Sequence, residues 1–150
     1  GYVTKLIGKW HGLLSHRPES IFLTENDYMA FKDVAIGQPG GVFELRTYVA
    51  RPGKLDALNK RFRTHTMRLF DKHGISNVGY WTPFDQPESA TTLVCLLHHS
   101  DREQADTNWQ EFLADPEWEK VRRESEADGS VLEAPPERTY LRGLGFSMLK

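Results

Sequence analysis

The run Val42-Phe-Glu-Leu-Arg-Thr-Tyr48, then the turn Arg51-Pro-Gly53 and a long helical pattern, constrains this chain more than any other stretch. It reads as a strand, a tight turn and a helix. Alternation along the strand puts Phe43, Leu45 and Thr47 on one face and Val42, Glu44, Arg46 and Tyr48 on the other. The first face is apolar enough to carry helices. The second mixes a carboxylate, a guanidinium and a phenol with aliphatic neighbours, the composition of a face that meets a partner subunit or a ligand.

The rest of the chain supplies matching pieces. The first helix is expected from about Gly53 to His73, with an inner stripe of Leu55, Leu58, Phe62, Thr66 and Leu69 and with Gly74 as its left-handed stop. Arg61, Arg63 and Arg68 lie off that stripe and read as a solvated basic face. Ile75 to Thr82 is a second strand, with Val78 and Tyr80 on one face and Asn77, Gly79 and Trp81 on the other. Pro83 to Ala90 is a loop. Thr91 to His98 is a third strand whose unbroken apolar run suits a central position buried on both faces. Ser100-Asp-Arg-Glu103 has the form of a capping box opening a second helix, with Ala105, Trp109, Phe112 and Leu113 inward. Asp115-Pro116 restarts a third helix, with Trp118 and Val121 facing in, that fades near Asp128-Gly129. Val131-Leu132 and Arg138-Thr-Tyr-Leu-Arg142 are the last strand candidates. The order is β-α-β-β-α-β with the second helix split, a ferredoxin-like α+β arrangement.

Glu44-Leu-Arg-Thr-Tyr48, Arg51-Pro-Gly-Lys54, His73-Gly74, Val78-Gly-Tyr-Trp81 and Ala114-Asp-Pro-Glu-Trp118 stand in the order and spacing of the NIPSNAP family, which the chain resembles from about Gly41 to Ser147. The resemblance implies that the ferredoxin-like unit pairs into a dimeric α+β barrel, with itself or with a homologous barrel subunit. It implies no reaction. For a eukaryotic source it implies a mitochondrial, matrix-side location. Tyr80-Trp-Thr-Pro83 also resembles bacterial members, for which the cytoplasm is the expectation.

Residues 1–40 lie outside this resemblance and read as a docking arm on a barrel domain of residues 41–150. Val3, Leu6, Ile7, Trp10, Leu13 and Leu14 fall at the spacing of an amphipathic helix, accompanied by Lys5, Lys9, His11 and His16. Such a helix can dock on protein or lie on a membrane surface. Leu6, Ile7, Trp10, Leu14, Phe22 and Phe31 are the expected docking residues. Pro18 breaks the pattern, and Gly37-Gln-Pro-Gly-Gly41 reads as a linker.

Lys and Arg total 19 against 21 for Asp and Glu, a net charge of −2, so the balance carries no footprint for nucleic acid. No apolar run approaches the roughly 18 residues of a spanning helix. The single cysteine, Cys95, cannot pair within the chain and reads as an inert buried thiol. His98 and His99 point to opposite faces by alternation, and no Cys, Asp or Glu joins them at a ligand spacing, so no metal is expected. His65 beside the stripe reads as a hydrogen-bonded, half-buried residue. No phosphate loop, dinucleotide fingerprint or nucleophile elbow is present, so no cofactor is expected.

Glu44, Arg46 and Tyr48 can then act in two ways. Facing into the paired barrel, Arg46 could bind a carboxylate or enolate while Tyr48 or Glu44 moves a proton, with Trp81 as a neighbour in the cavity. Alternatively Glu44 and Arg46 form an ion pair at the dimer seam, with Tyr48 as an interface residue. The first arrangement belongs to a small cofactor-free enzyme, of monooxygenase, isomerase or cyclase type, acting on a hydrophobic molecule. The second belongs to a non-catalytic accessory subunit or adaptor of a larger, membrane-associated complex, docked through residues 1–40. The sequence favours the second, and cavity volume discriminates between them.

Overall fold

Strand β2 (Val42–Val49) pairs through its backbone with β4 (Thr92–His99) on one edge and β5 (Glu137–Leu141) on the other. The computed structural model describes residues 20–28 and 41–144. With β1 (Leu23–Glu25) and β3 (Ser76–Pro83) the strands make one antiparallel sheet in the order β1-β3-β4-β2-β5. The last four are the expected ferredoxin-like set. As its apolar run requires, β4 is the central strand.

The helix after β2 has three parts: α1 (Leu55–Arg61), a π-helical turn (Phe62–Thr66) and α2 (Met67–Lys72), with right-handed helical dihedrals at both junctions. It ends as the sequence indicates. Gly74 has φ +72°, and Ile75 N–H donates to the Phe70 carbonyl while Gly74 N–H donates to that of Asp71, the paired bonds of a Schellman stop. Helix α3 (Arg102–Leu113) starts one residue later than the capping-box reading places it. Asp101, not Ser100, is the cap, its side chain accepting from Gln104 N–H at 2.7 Å. A carboxylate carries full charge at the helix N-terminus and outcompetes the neighbouring hydroxyl. Helix α4 (Pro116–Ser125) begins as expected on Asp115 and Pro116.

The core lies between the helices and one face of the sheet. Leu58, Phe62, Leu69, Phe70, Trp109 and Phe112 pack on Tyr48, Tyr80, Leu93, Cys95 and Leu97. The helices therefore cover the face of β2 that carries Glu44, Arg46 and Tyr48. Phe43, Leu45, Thr47 and Val49 look the other way, with Leu45 36% and Val49 41% exposed. This inverts the expected assignment. Alternation tells which residues share a face; it does not tell which face the helices choose. A bulge between Asn77 and Gly79 makes a second correction. It brings Asn77 to the helix side, where it receives the Tyr80 hydroxyl and donates to the Met67 carbonyl at 2.9 Å.

Three side chains depart from their expected exposure. Arg61 is buried rather than solvated, bonded to Ser125 and Glu126 across the helix layer. Leu113 is 63% exposed rather than inward, and His65 is exposed. Of the arm, β1 adds to the outer edge of β3. Tyr28 packs on Tyr80 at 5.7 Å between ring centroids and donates its hydroxyl to Asn59 at 2.8 Å. Phe22 is 71% exposed. Leu6, Ile7, Trp10, Leu14 and Phe31 lie outside the described residues.

Candidate functional site

Neighbouring strands bring Glu44 under α3 and give it three donors. Glu44 is fully buried. Its Oε1 accepts from Arg46 Nη1 at 2.8 Å, and its Oε2 accepts from Trp109 Nε1 at 2.7 Å. Oε2 also lies 2.8 Å from His99 Nε2. An ionised carboxylate only accepts, so His99 carries its proton on Nε2. Burial alone pushes the Glu44 carboxyl up, but the bonds from His99, Trp109 and Arg46 outweigh it and bring the pKa down to about 2. Glu44 is thus a fixed anion whose three donors make it a weak base.

Arg46 is correspondingly fixed as a cation. Its guanidinium lies 4.1 Å from the centroid of the Trp109 ring, and Nε donates to the Tyr48 hydroxyl oxygen at 2.8 Å. Nη2 has no hydrogen bond among the described residues. Desolvation works against the charge, but Tyr48 and Glu44 more than offset it and raise the pKa. Burial pushes the Tyr48 phenol up despite Arg46 beside it, so Tyr48 keeps its proton. Its oxygen is occupied by Arg46, and its O–H remains a donor.

Both groups open onto a cavity of about 210 Å³ between the sheet and the helix layer. Phe62, Phe70, Trp109, Phe112 and Trp118 form most of its wall, with Arg61 from the end of α1, Thr66 from the π-helical turn, and Arg138 and Leu132 at the β5 side. Phe62, Thr66 and Phe70, spaced four residues apart along this helix, share one wall; π-turns of this kind recur at functional sites.

The sequence-predicted residues thus divide. Glu44, Arg46 and Tyr48 are brought together, and the Glu44–Arg46 ion pair exists, but beneath the helices rather than at a seam on the open sheet face. Trp81 is separated from them. It follows Tyr80, a core residue, so it points to the open face, where its ring packs over Gly79. The tryptophans of the cavity are Trp109 and Trp118, which the sequence assigned to helix packing. His99 also went unrecognised as the partner of Glu44. A buried indole N–H needs an acceptor, which could have tied Trp109 to a buried carboxylate, but nothing local in the sequence ties His99 to Glu44. His98 turns to the open face, edge-on to Phe43 at 5.1 Å. Among the described residues no cluster of His, Cys, Asp or Glu could hold a metal ion, and no helix is long and apolar enough to cross a membrane.

The NIPSNAP family model matches residues 43–144, which include every element from β2 to β5. The chain belongs to the NIPSNAP family. Two solved NIPSNAP structures share its fold. A family protein of unknown function from Agrobacterium tumefaciens is 21% identical, with a TM-score of 0.62 over 74% of this chain and 95% of that one. An uncharacterized NIPSNAP-like protein from Burkholderia xenovorans is also 21% identical, with a TM-score of 0.60 over 71% and 88%. The fold is also similar to that of a monooxygenase from Streptomyces coelicolor solved with the ligand nanaomycin D, at 16% identity and a TM-score of 0.51, covering 77% of this chain and 98% of that one. These likenesses are of fold. No curated protein matches the chain.

Proposed function

We propose that this NIPSNAP domain binds a small, mainly apolar molecule in the cavity under its helices and holds an oxygen of that molecule against Arg46 and Tyr48. The observation that carries the reading is a guanidinium anchored on one edge by a buried carboxylate, with Nη2 and the Tyr48 O–H left as donors beside an aromatic chamber. Fixed donors in a water-poor site stabilise negative charge as it develops on oxygen. That is the electrostatic requirement for making an enolate or phenolate, and it is the enzymatic form of this reading. Glu44 is fully engaged and Tyr48 keeps its proton, so neither supplies a base. The supported role is binding and charge stabilisation.

The test is 4-nitrophenol, a single-ring phenol whose visible absorbance reports its ionisation. Bound to the protein, its pKa should fall by at least one unit, and Arg46→Met should abolish that fall. Absence of binding, or a bound phenol that ionises at its ordinary pH, would remove the proposal.

A second reading, as an interaction module, rests on the open sheet face. Leu45, Val49 and Leu141 are 36–44% exposed there, beside half-buried Trp81 and Leu96. On this reading the face pairs with another barrel subunit while residues 1–40 hold further subunits. Because β1 and Tyr28 pack onto the domain, the informative truncation removes residues 1–19 and spares them. Native mass of Leu45→Lys, and pull-down with the truncated chain, test the two halves. An unchanged mass and unchanged capture would sink it.

A further inference from the structure

Arg138 stands directly opposite Arg46 across the β2–β5 ladder, so both side chains leave the sheet on the helix side. Both line the cavity. Like charges facing each other across a sheet destabilise it, and here only one is compensated. Glu44 neutralises Arg46, and Glu126 lies 3.2 Å from Arg61 on the far wall. Among the described residues Arg138 enters no ion pair; its recorded contact is the Tyr140 ring, 6.0 Å away. Among the described residues the cavity lining therefore carries one positive charge in excess, that of Arg138, which is exposed at the cavity rim. Arg61 adds a buried Nε with no hydrogen-bond partner among the described residues.

Size and wall chemistry narrow the occupant. An apolar cavity of about 150 Å³ takes up benzene, so about 210 Å³ accommodates one ring and a small substituent. Phe70, Trp109 and Phe112 pack mutually edge-on at 4.9–5.6 Å between centroids, offering the mixture of edges and faces that an aromatic guest prefers. A planar carboxylate matches guanidinium geometry better than any neutral oxygen does.

We infer that the cavity selects monoanionic single-ring aromatic acids, and that Arg138 sets this preference by pairing with the carboxylate beside Arg46, its neighbour on the same sheet face. This rests on the ligand-binding reading above and adds a charge class and a specificity residue to it.

Calorimetric titration of benzoate and benzamide, matched in shape and differing in charge, tests the inference. The wild-type protein should bind benzoate at least tenfold more tightly than benzamide, with the difference shrinking as salt rises. Arg138→Gln should bring the ratio close to one while benzamide affinity stays within about twofold. Arg138→Lys should keep most of the preference, which separates charge from folding. Equal wild-type affinities, or a preference that survives Arg138→Gln, would overturn the pairing while benzamide binding upholds the pocket. Binding of 4-nitrophenol without either benzoyl probe overturns this inference alone. Failure of all three overturns the pocket reading with it.

Discussion

Glu44→Gln is the sharpest probe of the buried network, because the wild-type carboxylate receives three donors and an amide can receive only some of them. With its oxygen kept at the Trp109 and His99 side, the new NH2 meets Arg46 Nη1, donor against donor, and Arg46 is left as a buried charge without its counterion. Breaking a buried pair from one side costs about 3–5 kcal/mol. The linkage calculation agrees. A carboxyl whose pKa falls from 4.5 to about 2 on folding contributes about 3 kcal/mol at neutral pH, at about 1.4 kcal/mol per unit. The sign follows from the folded value being the lower one. The contribution is complete well above pH 4.5 and is lost as pH falls towards 2, with about 2 kcal/mol gone by pH 3. Glutamine cannot titrate, so the gap between wild type and variant should narrow by about that amount from pH 7 to pH 3. Urea denaturation at the two pH values measures it, with tryptophan fluorescence as the signal. A loss under about 1 kcal/mol at pH 7, or a gap independent of pH, would refute the assignment of Glu44 as a stabilising anion.

Three further outcomes follow from the packing. Cys95 is fully buried and its thiol is pushed up to about 12, chiefly by desolvation; a thiol reagent at pH 8 should label it only after unfolding, and labelling of the native protein at the rate of a free thiol would contradict the placement. Asp115 caps α4 and holds Lys72 and His73, each at 2.6 Å; Asp115→Ala should lower stability by at least the roughly 1 kcal/mol of a lost cap, read as a fall in Tm, and an unchanged Tm would contradict the clamp. Gly79→Ala places a methyl 2.3 Å from the Trp81 ring, so the indole must move, at about 1–3 kcal/mol; near-ultraviolet circular dichroism should change, and an unaltered spectrum with full stability would refute the contact.

Much of the fold was legible because local rules and tertiary packing agree along most of the chain. The Gly74 stop, the Asp115-Pro116 restart and the central place of the Thr92–His99 strand each follow from a residue type whose preference nothing opposes. The departures have physical causes. Arg61 reads as a surface cation by its position off the stripe, but a partner carboxylate just past the end of α4, Glu126, lets it be buried. The π-helical turn inserts a residue that no 3.6-residue periodicity anticipates; Thr66 keeps its place on the inner stripe, while Phe70 joins Leu69 as a buried residue beyond it. The bulge at Asn77–Gly79 breaks a strict alternation in the same way and turns Asn77 over. Trp81 was drawn to the site by sharing a face with Gly79; that face is real, but it is the open one.

The candidate site divides along the same line. The sequence by itself determined that Glu44, Arg46 and Tyr48 share one side of one strand, because pleat alternation is a local property of the backbone. It determined the family and the order of elements, because turn and cap residues act over a few positions. Only the tertiary structure decided that the helices cover that polar side. A buried carboxylate and guanidinium are tolerated only when their partners come from elsewhere, and those partners, His99 on a neighbouring strand and Trp109 on α3, lie more than fifty residues away. The cavity is likewise a property of packing: it is the space that Phe62, Phe70, Trp109 and Trp118 leave between two layers, and no periodicity in the chain records it.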